Sequence, residues 1–534
     1  MKKILCLLLA FALLFGLCAC SDNSSVVLFF PTADKAQSFD PQIASLDTER
    51  VIVRNCFEGL VRHDENGKII PAAALSWEQS ADGLSYTFHL RENAKWHLTV
   101  NAEEQLEGKL PENFDLSVTA NDFVFALRRA AAPATAAPEA YQLINIENAG
   151  KIAAGTAEPE SLGVSAPDKY TLVIRLSRAQ SNFLDVLTQP VAMPCNETFF
   201  NACSGRYGTY IKFLLSNGPF YLSRFNEDSY RINRASDYSG SSPAVPDAVW
   251  FYLNTDKAQL IADIEKGEYS GALLNSYMFA QLESTEKLNV LELKNVLRSL
   301  IFNLKDPLLS EENLRKAFIA ASDTARLCEN AGKTPVKGMV PSCAASEKVS
   351  AHPELYSEEK AAAYLETALQ KLSLQSVSVT LICENEYADI MRRLLQEWQR
   401  ILGVSASLSV KAVDKAQLDA AVESGEYQIA FYPVSAHSDN AYDYFGAFTP
   451  LSPYNFTGYN DPVTVTLLSG LCAGGDAEYT EGYELLENKL AAAGIMLPVW
   501  EESSYFVTEK NVSGVIFEIG SDRLYLHNAS DNKK

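Results

Sequence analysis

The sequence contains few of the residues that build metal and redox sites. Only six of its 534 residues are histidines, and these form neither an HExxH motif nor a pair at i, i+4 spacing. None of the cysteines after residue 20 has the CxxC spacing of a zinc ribbon or a redox dithiol. We therefore expect no metal site and no cofactor.

Basic residues are scarce relative to acidic ones. The chain has 45 lysines and arginines against 67 aspartates and glutamates, which gives a formal net charge of −22. Such a surface repels polyanions, so nucleic acid and anionic lipid are not expected as partners. With 47% hydrophobic and 21% charged residues, the chain has the material for two or three domains.

Long hydrophobic runs are absent after residue 20, and the apolar run before it is short. Lys2 and Lys3 precede an apolar segment at residues 4–17, which is too short for a comfortable bilayer span and is typical of a signal peptide. The sequence therefore predicts a signal peptide at residues 1–19 and no transmembrane helix after it.

The junction at Cys20 resembles the lipobox of bacterial lipoproteins, in which small residues precede a cysteine. The sequence there is Leu17-Cys18-Ala19-Cys20, followed at once by the polar run SDNSS. The resemblance implies that Cys20 is acylated and becomes the first residue of the mature chain. Its lipid would tether the protein to the extracytoplasmic face of the cell membrane. An ordinary secretory signal with incidental cysteines stays open as the alternative.

Seven cysteines follow Cys20, an odd number that leaves at least one free thiol in a monomer. Cys195 and Cys203 are near enough in sequence to pair, as are Cys328 and Cys343. The sequence does not decide whether either pair forms a disulfide.

The order of predicted elements indicates an α/β protein. A strand at residues 26–32 leads into a helix, and a later helix ends at Gly267 before another strand. Asn66-Gly67 and Asp82-Gly83 predict tight turns within an antiparallel meander. Residues 226–228 predict a further turn between two strands, and strands and helices alternate again in the second half of the chain.

Three local features carry more specific predictions. Thr119 and Asp122 have the spacing of a capping box and predict the start of a helix. Asn217-Gly218-Pro219 predicts a turn in which the glycine permits a positive φ. Phe88 and Trp96 lie on predicted strands and are expected in the core.

One partial match to a catalytic motif is present. Ser357 and Lys360 have the S-x-x-K spacing of penicillin-binding enzymes, and residues 438–440 supply S-D-N. No K-T-G or K-S-G follows Asn440, and Ser357 is better placed as the N-cap of the helix after it. A serine acyl-transfer enzyme stays a remote alternative, and we expect no enzymatic activity.

Several segments together resemble the extracytoplasmic solute-binding proteins, family 5, of oligopeptide-type ABC importers. They include SFDPQ at residues 38–42, CFEGLV at 56–61, and PAAALSWEQSADGLSYTFHLRENAKWH at 71–97. Because the last segment is long and mixed in composition, the match is specific. Residues 98–117 depart from the family pattern and form an insertion.

The resemblance implies a type II periplasmic-binding-protein-like fold. In that fold two α/β lobes enclose a ligand cleft, an extra and mainly β subdomain is attached, and a monomer closes by hinge motion. In this chain lobe I would comprise residues 20–54, 192–292 and 500–534, the subdomain 55–191, and lobe II 293–499.

The resemblance also implies which residues face the ligand. They form three segments: Ser45-Leu46-Asp47, Leu274-Asn275-Ser276 and Tyr432-Pro433-Val434-Ser435. Peptide-binding relatives often carry an aspartate that pairs with the α-ammonium group of the ligand. The aligned residue here is Ser435, and Pro433 removes a backbone donor. Asp439 or Asp443 could supply the missing carboxylate if the loop folds back, and Asp439 is the first candidate.

The implied function is the capture of an extracellular ligand and its delivery to the permease and ATPase subunits of an ABC importer. An oligopeptide is the expected ligand. Another small solute is the alternative, because the amine anchor is missing. A lipoprotein of the same fold that acts in sensing or adhesion also stays open.

We predict that Cys20 carries the lipid. A fatty-acid analogue fed to the cells should label the wild-type protein and leave Cys20→Ala unlabelled, because alanine has no sulfur to acylate. Cys18→Ala, a change two residues away, should keep the label. Equal labelling of the wild type and Cys20→Ala would contradict the prediction.

Overall fold

The computed structural model describes residues 25–65, 67–99, 106, 108–180, 182–240, 242–336, 338–344, 356–436, 441–450, 452, 454–471, 481–518 and 523–532. Cys20, Asn66, Asp439 and Cys472 lie outside these residues, as do the other residues of the S-D-N motif. Within the described part, no helix is long and apolar enough to cross a membrane.

Strands and helices alternate along the described chain. The strands are β1 (Val27–Thr32), β2 (Val61–His63), β3 (Ile69–Pro71), β4 (Ala74–Gln79), β5 (Ser85–Leu90), β6 (Val164–Asp168), β7 (Thr171–Arg175), β8 (Phe220–Phe225), β9 (Ser229–Arg234), β10 (Ala248–Leu253), β11 (Gly271–Asn275), β12 (Leu288–Phe302), β13 (Val377–Glu384), β14 (Ala406–Val413), β15 (Ile429–Ser435), β16 (Met496–Glu509), β17 (Val512–Ser513), β18 (Ile516–Phe517), β19 (Leu524–Tyr525) and β20 (Ser530–Asp531). The helices are α1 (Asp47–Cys56), α2 (Ala120–Ala131), α3 (Ala149–Ala153), α4 (Phe183–Val186), α5 (Glu197–Ala202), α6 (Lys257–Lys266), α7 (Ser276–Phe279), α8 (Glu312–Ala320), α9 (Thr324–Ala331), α10 (Glu358–Leu372), α11 (Ala388–Leu402), α12 (Lys415–Ser424), α13 (Ala441–Gly446), α14 (Pro462–Leu471) and α15 (Glu481–Ala493).

Two four-stranded sheets organise the first half of the chain. One has the order β1-β10-β9-β8, with β1 parallel to β10 and the other pairs antiparallel. The other has the order β4-β5-β7-β6 and is antiparallel throughout. The opening strand and the two strands around residues 226–228 are confirmed.

The two hairpins of the predicted meander are present, but they do not join into one sheet. β2 pairs with β3, and β4 pairs with β5, but β3 and β4 belong to different sheets. The reason is that the backbone N–H groups of residues 72–74 donate to the carbonyl oxygens of Gly59 and Leu60. The chain therefore turns away before β4 begins.

A six-stranded sheet with the order β11-β16-β12-β15-β13-β14 runs through the second half of the chain. Its longest strands, β12 and β16, have 15 and 14 residues and pair antiparallel. β13 pairs parallel with both β14 and β15. Helices intervene between these strands, which confirms the second α/β block.

Alternate residues of β12 point to opposite faces of this sheet, and each face has its own core. Leu300 and Phe302 pack in a cluster with α8, α10 and α11 that contains the fully buried Trp398. Leu297 and Ile301 pack on the other face with α12, α13 and α15. Burial of each such side chain contributes about 2 kcal/mol to stability.

Several local predictions are confirmed. The Thr119 N–H donates to the Asp122 carboxylate at 2.7 Å at the start of α2. The Ser357 hydroxyl accepts the Lys360 N–H at 3.3 Å, so this serine caps α10. Gly267 adopts the left-handed conformation that ends α6. Phe88 and Trp96 belong to the core of the first half.

Five described cysteines, Cys56, Cys195, Cys203, Cys328 and Cys383, are buried free thiols, so neither of the two pairs that are close in sequence forms a disulfide. Burial raises the pKa of Cys203 to about 12 and that of Cys328 to about 11. Thiols with such pKa values stay protonated and pack as small apolar groups.

Gly218 is required for close packing and not for its backbone conformation. Its φ lies outside the left-handed region, so the turn does not use the positive φ that a glycine permits. The Asn217 side chain exchanges two hydrogen bonds with the Glu58 backbone, at 2.9 and 2.8 Å, and the Gly218 N–H donates to the Cys56 carbonyl at 2.9 Å. A Cβ at this position would lie 2.7 Å from the Cys56 carbonyl carbon and 2.9 Å from the Phe57 nitrogen.

We predict that Gly218→Ala destabilises the protein by about 1–3 kcal/mol, because the added methyl group meets backbone atoms that cannot rotate away. Gly150→Ala is the matched control: its Cβ would lie 3.7 Å from the Ile144 side chain, at ordinary contact distance within α3. Urea unfolding should separate the two variants. Equal midpoints for both would contradict this account of the turn.

Candidate functional site

A cavity of about 440 Å³ lies between two walls that come from different parts of the chain. The first wall is formed by Arg50 of α1, by residues from the segments 139–145 and 177–189, and by Arg523. The second is formed by α13, the residues after it, and α14. A concave space of this size suits a small-molecule or short-peptide ligand.

Arg50 is fixed on the first wall by the loop before α1. Its guanidinium donates to the Ser45 carbonyl at 2.7 Å and to the Asp47 carboxylate at 2.8 Å, and lies 3.6 Å from Glu139. The Glu49 carboxylate in turn accepts the backbone N–H groups of Ser45 and Leu46, at 2.9 and 3.2 Å. The loop and the arginine therefore hold one another in place.

A second charged group on this wall connects it to the C-terminal segment. The Asp185 carboxylate lies 2.9 Å from Nε2 of His63, whose Nδ1 lies 3.5 Å from the Glu518 carboxylate. Glu518 lies 3.6 Å from Arg523. Asp185 and Arg523, which both line the cavity, are thus linked through two buried or half-buried side chains.

A chain of side-chain amides runs along the first wall and ends on the second. Asn145 donates to Gln180 at 2.9 Å, Gln180 donates to Asn182 at 2.8 Å, and Asn182 donates to the Asp443 carboxylate at 3.2 Å. Gln180 and Asn182 are buried. Because Asp443 belongs to α13, the last of these hydrogen bonds joins the two walls.

The second wall is less charged and more apolar than the first. Asp443 is its one charged residue among those described, and Tyr442, Tyr454 and Leu468 contribute rings and an aliphatic side chain. Across from them, burial and the nearby carboxylate of Glu139 raise the pKa of Tyr141 well above its usual value. Tyr141 therefore stays protonated and offers the ligand a hydroxyl group.

The predicted segment Ser45-Leu46-Asp47 lies beside the cavity and touches it through Arg50. The predicted segment Tyr432-Pro433-Val434-Ser435 forms most of β15 and pairs with β12. The cavity wall resumes at Tyr442, seven residues after Ser435. Both segments are therefore close in sequence to residues that line the cavity.

The third predicted segment lies at the end of the edge strand β11, which β16 and β12 separate from β15 in the six-stranded sheet. Leu274 is buried at the end of β11, the Asn275 side chain caps α7, and the Ser276 hydroxyl donates to the Ser503 carbonyl at 2.8 Å. None of the residues in these three segments lines the cavity, whereas Asp443, the alternative carboxylate, does. Asp439 lies outside the described residues.

Sequence reasoning named Asp443 but missed the amide chain that leads to it and the other residues of the cavity walls. Asn145, Gln180 and Asp443 have no common motif, and their separation in sequence gives no periodic signal. The one available sign was the polar stretch AQSN at residues 179–182, which is unusually amide-rich. Among the described residues no cluster of three or more histidines, cysteines and carboxylates forms a metal-binding geometry.

Comparison with known proteins identifies the family. Residues 68–456 match the model of "Bacterial extracellular solute-binding proteins, family 5 Middle". The dipeptide-binding protein DppE of Bacillus subtilis (strain 168) is 25% identical over 439 residues, which cover 76% of this chain and 77% of that protein. The periplasmic oligopeptide-binding protein OppA of Haemophilus influenzae is 26% identical over 517 residues, covering 92% and 91%.

A shorter similarity is to a protein that is named for a different ligand. A probable deoxycholate-binding periplasmic protein of Escherichia coli (strain K12), YgiS, is 37% identical over 159 residues, which cover 29% of this chain and 27% of that protein. The similarity does not extend to the remaining length of either chain.

Solved structures show the same fold. Listeria monocytogenes OppA bound to peptide superposes with a TM-score of 0.75 at 20% identity and covers 96% of this chain and 100% of its own. Haemophilus influenzae OppA in complex with the peptide RPPGFSPFR gives 0.76 at 23% identity, with coverage of 96% and 100%. The expected type II periplasmic-binding fold is thereby confirmed, and because the family model matches more than half of its length, the chain belongs to the bacterial extracellular solute-binding proteins of family 5.

Proposed function

We propose that this protein captures a peptide outside the cytoplasm and delivers it to the permease and ATPase subunits of an ABC importer. The observation that carries the proposal is the cavity between two walls joined by the Asn182–Asp443 hydrogen bond. A space formed by two separable surfaces suits a protein that must both enclose and release its ligand. The dipeptide- and oligopeptide-binding relatives supply the ligand class.

The cavity offers groups that suit a peptide backbone. The side-chain amides of Asn145, Gln180 and Gln142 present donors and acceptors, and the hydroxyl groups of Tyr141 and Tyr454 add others. Backbone recognition of this kind binds many sequences, because every peptide presents the same N–H and C=O groups. We propose binding without catalysis.

The predicted ligand-facing segments stay part of this proposal. Ser45-Leu46-Asp47 and Tyr432-Pro433-Val434-Ser435 border the cavity along the chain, and Leu274-Asn275-Ser276 would contribute from β11 when a longer ligand extends across the sheet. Asp439 remains the candidate partner for a ligand amine.

An N-terminal lipid at Cys20 would keep the protein close to its importer. Two or three acyl chains give a stable anchor, whereas one gives only reversible membrane binding. The bulk of the chain would extend from the outer face of the membrane as a monomer, and the permease would receive the ligand there. Its acidic surface would keep it off anionic lipid headgroups.

A non-peptide solute is the second candidate. The partial similarity to a probable deoxycholate-binding protein favours it, as does the serine at position 435, where an aspartate would pair with a peptide amine. The tyrosines and aliphatic side chains of the second wall suit an apolar ligand body.

Native mass spectrometry of the protein as purified tests the proposal most simply. We predict an adduct whose mass, after release by denaturation, fragments as a peptide. A released compound without peptide fragmentation would contradict peptide capture and favour the second candidate. A protein that carries no adduct and retains no member of a peptide library would also contradict peptide capture.

The hydrogen bond between Asn182 and Asp443 leads to a second prediction. Asn182→Asp places a carboxylate against Asp443 while keeping the oxygen that accepts from Gln180. Repulsion between the two carboxylates should open the walls and speed dissociation of the copurified ligand by about tenfold or more.

Two further variants control this measurement. Asn148→Asp makes the same charge change at a half-buried residue that donates to the Ser161 carbonyl and does not line the cavity, and it should leave the dissociation rate unchanged. Adding Asp443→Asn to Asn182→Asp exchanges the two groups and should restore slow dissociation. Unchanged dissociation in Asn182→Asp alone would contradict the role given to this hydrogen bond.

A further inference from the structure

Six charged residues line the cavity, and five of them are held by partners within the protein. Arg50 bonds Asp47 and lies near Glu139, Asp185 lies 2.9 Å from His63, Asp443 accepts from Asn182, and Arg523 lies near Glu518. The sixth is Arg178. Its guanidinium makes no hydrogen bond or ion pair with any residue in the described part of the chain.

The backbone around Arg178 is held on both sides. Ser177 donates its N–H and its hydroxyl to the Asn145 carbonyl, at 2.8 and 3.1 Å. Two residues later, Gln180 is buried and takes part in the amide chain. Arg178 therefore extends from a fixed point of the wall, and its exposed side chain is accessible to a ligand.

The charge around this arginine determines what it can do. The cavity also contains the carboxylates of Glu139, Asp185 and Asp443, and the whole chain carries a net charge of −22. An anionic ligand group is repelled everywhere in such a cavity except beside a guanidinium that is not already neutralised. The planar fork of arginine binds a carboxylate through two parallel hydrogen bonds.

We propose that Arg178 binds a carboxylate of the ligand and makes short peptides with a free carboxylate the preferred ligands of this protein. The inference rests on the proposed function, since it takes the ligand to be a peptide. A cavity of about 440 Å³ encloses a ligand of drug size, which corresponds to a peptide of about two to four residues. The carboxylate comes from the peptide C terminus or from an acidic side chain.

Competition between two libraries tests the proposal. One contains di- to tetrapeptides as free acids and the other the same peptides as C-terminal amides, and mass spectrometry measures what the ligand-stripped protein retains. Wild type should retain free acids about fivefold better than amides, the size of effect expected for one accessible ion pair. Arg178→Gln should bring the ratio close to one, and Arg178→Lys should retain part of the preference.

Arg175→Gln is the matched control. Arg175 is three residues away on β7, pairs with Glu147 at 3.1 Å, and does not line the cavity. It should keep the wild-type ratio. Because Arg178 has no partner in the described residues, Arg178→Gln should also keep the wild-type thermal midpoint, which separates a ligand contact from a structural role.

The possible results separate a failure of the role proposed for Arg178 from a failure of peptide capture. If wild type retains peptides and Arg178→Gln keeps both the acid-to-amide ratio and the retention of amidated peptides with aspartate or glutamate, Arg178 is not the carboxylate site and peptide capture still stands. If the loss in Arg178→Gln is confined to amidated peptides with aspartate or glutamate, the carboxylate comes from a side chain; if it is confined to free acids without such residues, it comes from the C terminus. Retention of neither library by wild type overturns the proposed function and this inference with it.

Discussion

The hydrogen bond from Asn182 to Asp443 joins two walls that belong to different parts of the fold, and the enclosed cavity depends on it. Asn182 is buried and already accepts from Gln180, so its amide group is oriented before Asp443 arrives. A charged acceptor makes the contact stronger than one between neutral groups. A hydrogen bond between two surfaces can break and form again, which suits a closure that must be reversible.

The long strands β12 and β16 pair irregularly within the six-stranded sheet. Their pairing shifts register between Leu293 and Val296 and again after Arg298, and such irregularities weaken a ladder locally. Arg298 counteracts this weakness, since it bonds Glu384 and Glu502 at 3.0 and 2.9 Å. The ladder is therefore irregular at two points, and Arg298 ties β12 to β13 and β16 beside them.

Features set by neighbouring residues could be predicted from the sequence. The capping box at Thr119, the cap at Ser357 and the helix end at Gly267 each depend on a few adjacent residues, and all three are present. The strand order could not be predicted this way, because β3 and β4 separate through hydrogen bonds to residues 59–60. The Gly218 contact likewise depends on Cys56, a residue 162 positions away that no local pattern connects to it. The cavity is an extreme case, since its residues come from segments that only the finished fold brings together. Family resemblance predicted the fold and the class of protein. It did not predict which side chains line this cavity.

The central claim is that the two walls close around a ligand, and small-angle X-ray scattering tests it most directly. The protein is measured after its ligand has been removed by unfolding and refolding, and again after the released ligand has been added back to saturation. The account predicts a smaller radius of gyration for the loaded protein. It also predicts that Asn182→Asp shrinks less at the same occupancy, because its walls repel one another. Identical radii for loaded and stripped wild-type protein, with binding verified by mass spectrometry, would contradict closure.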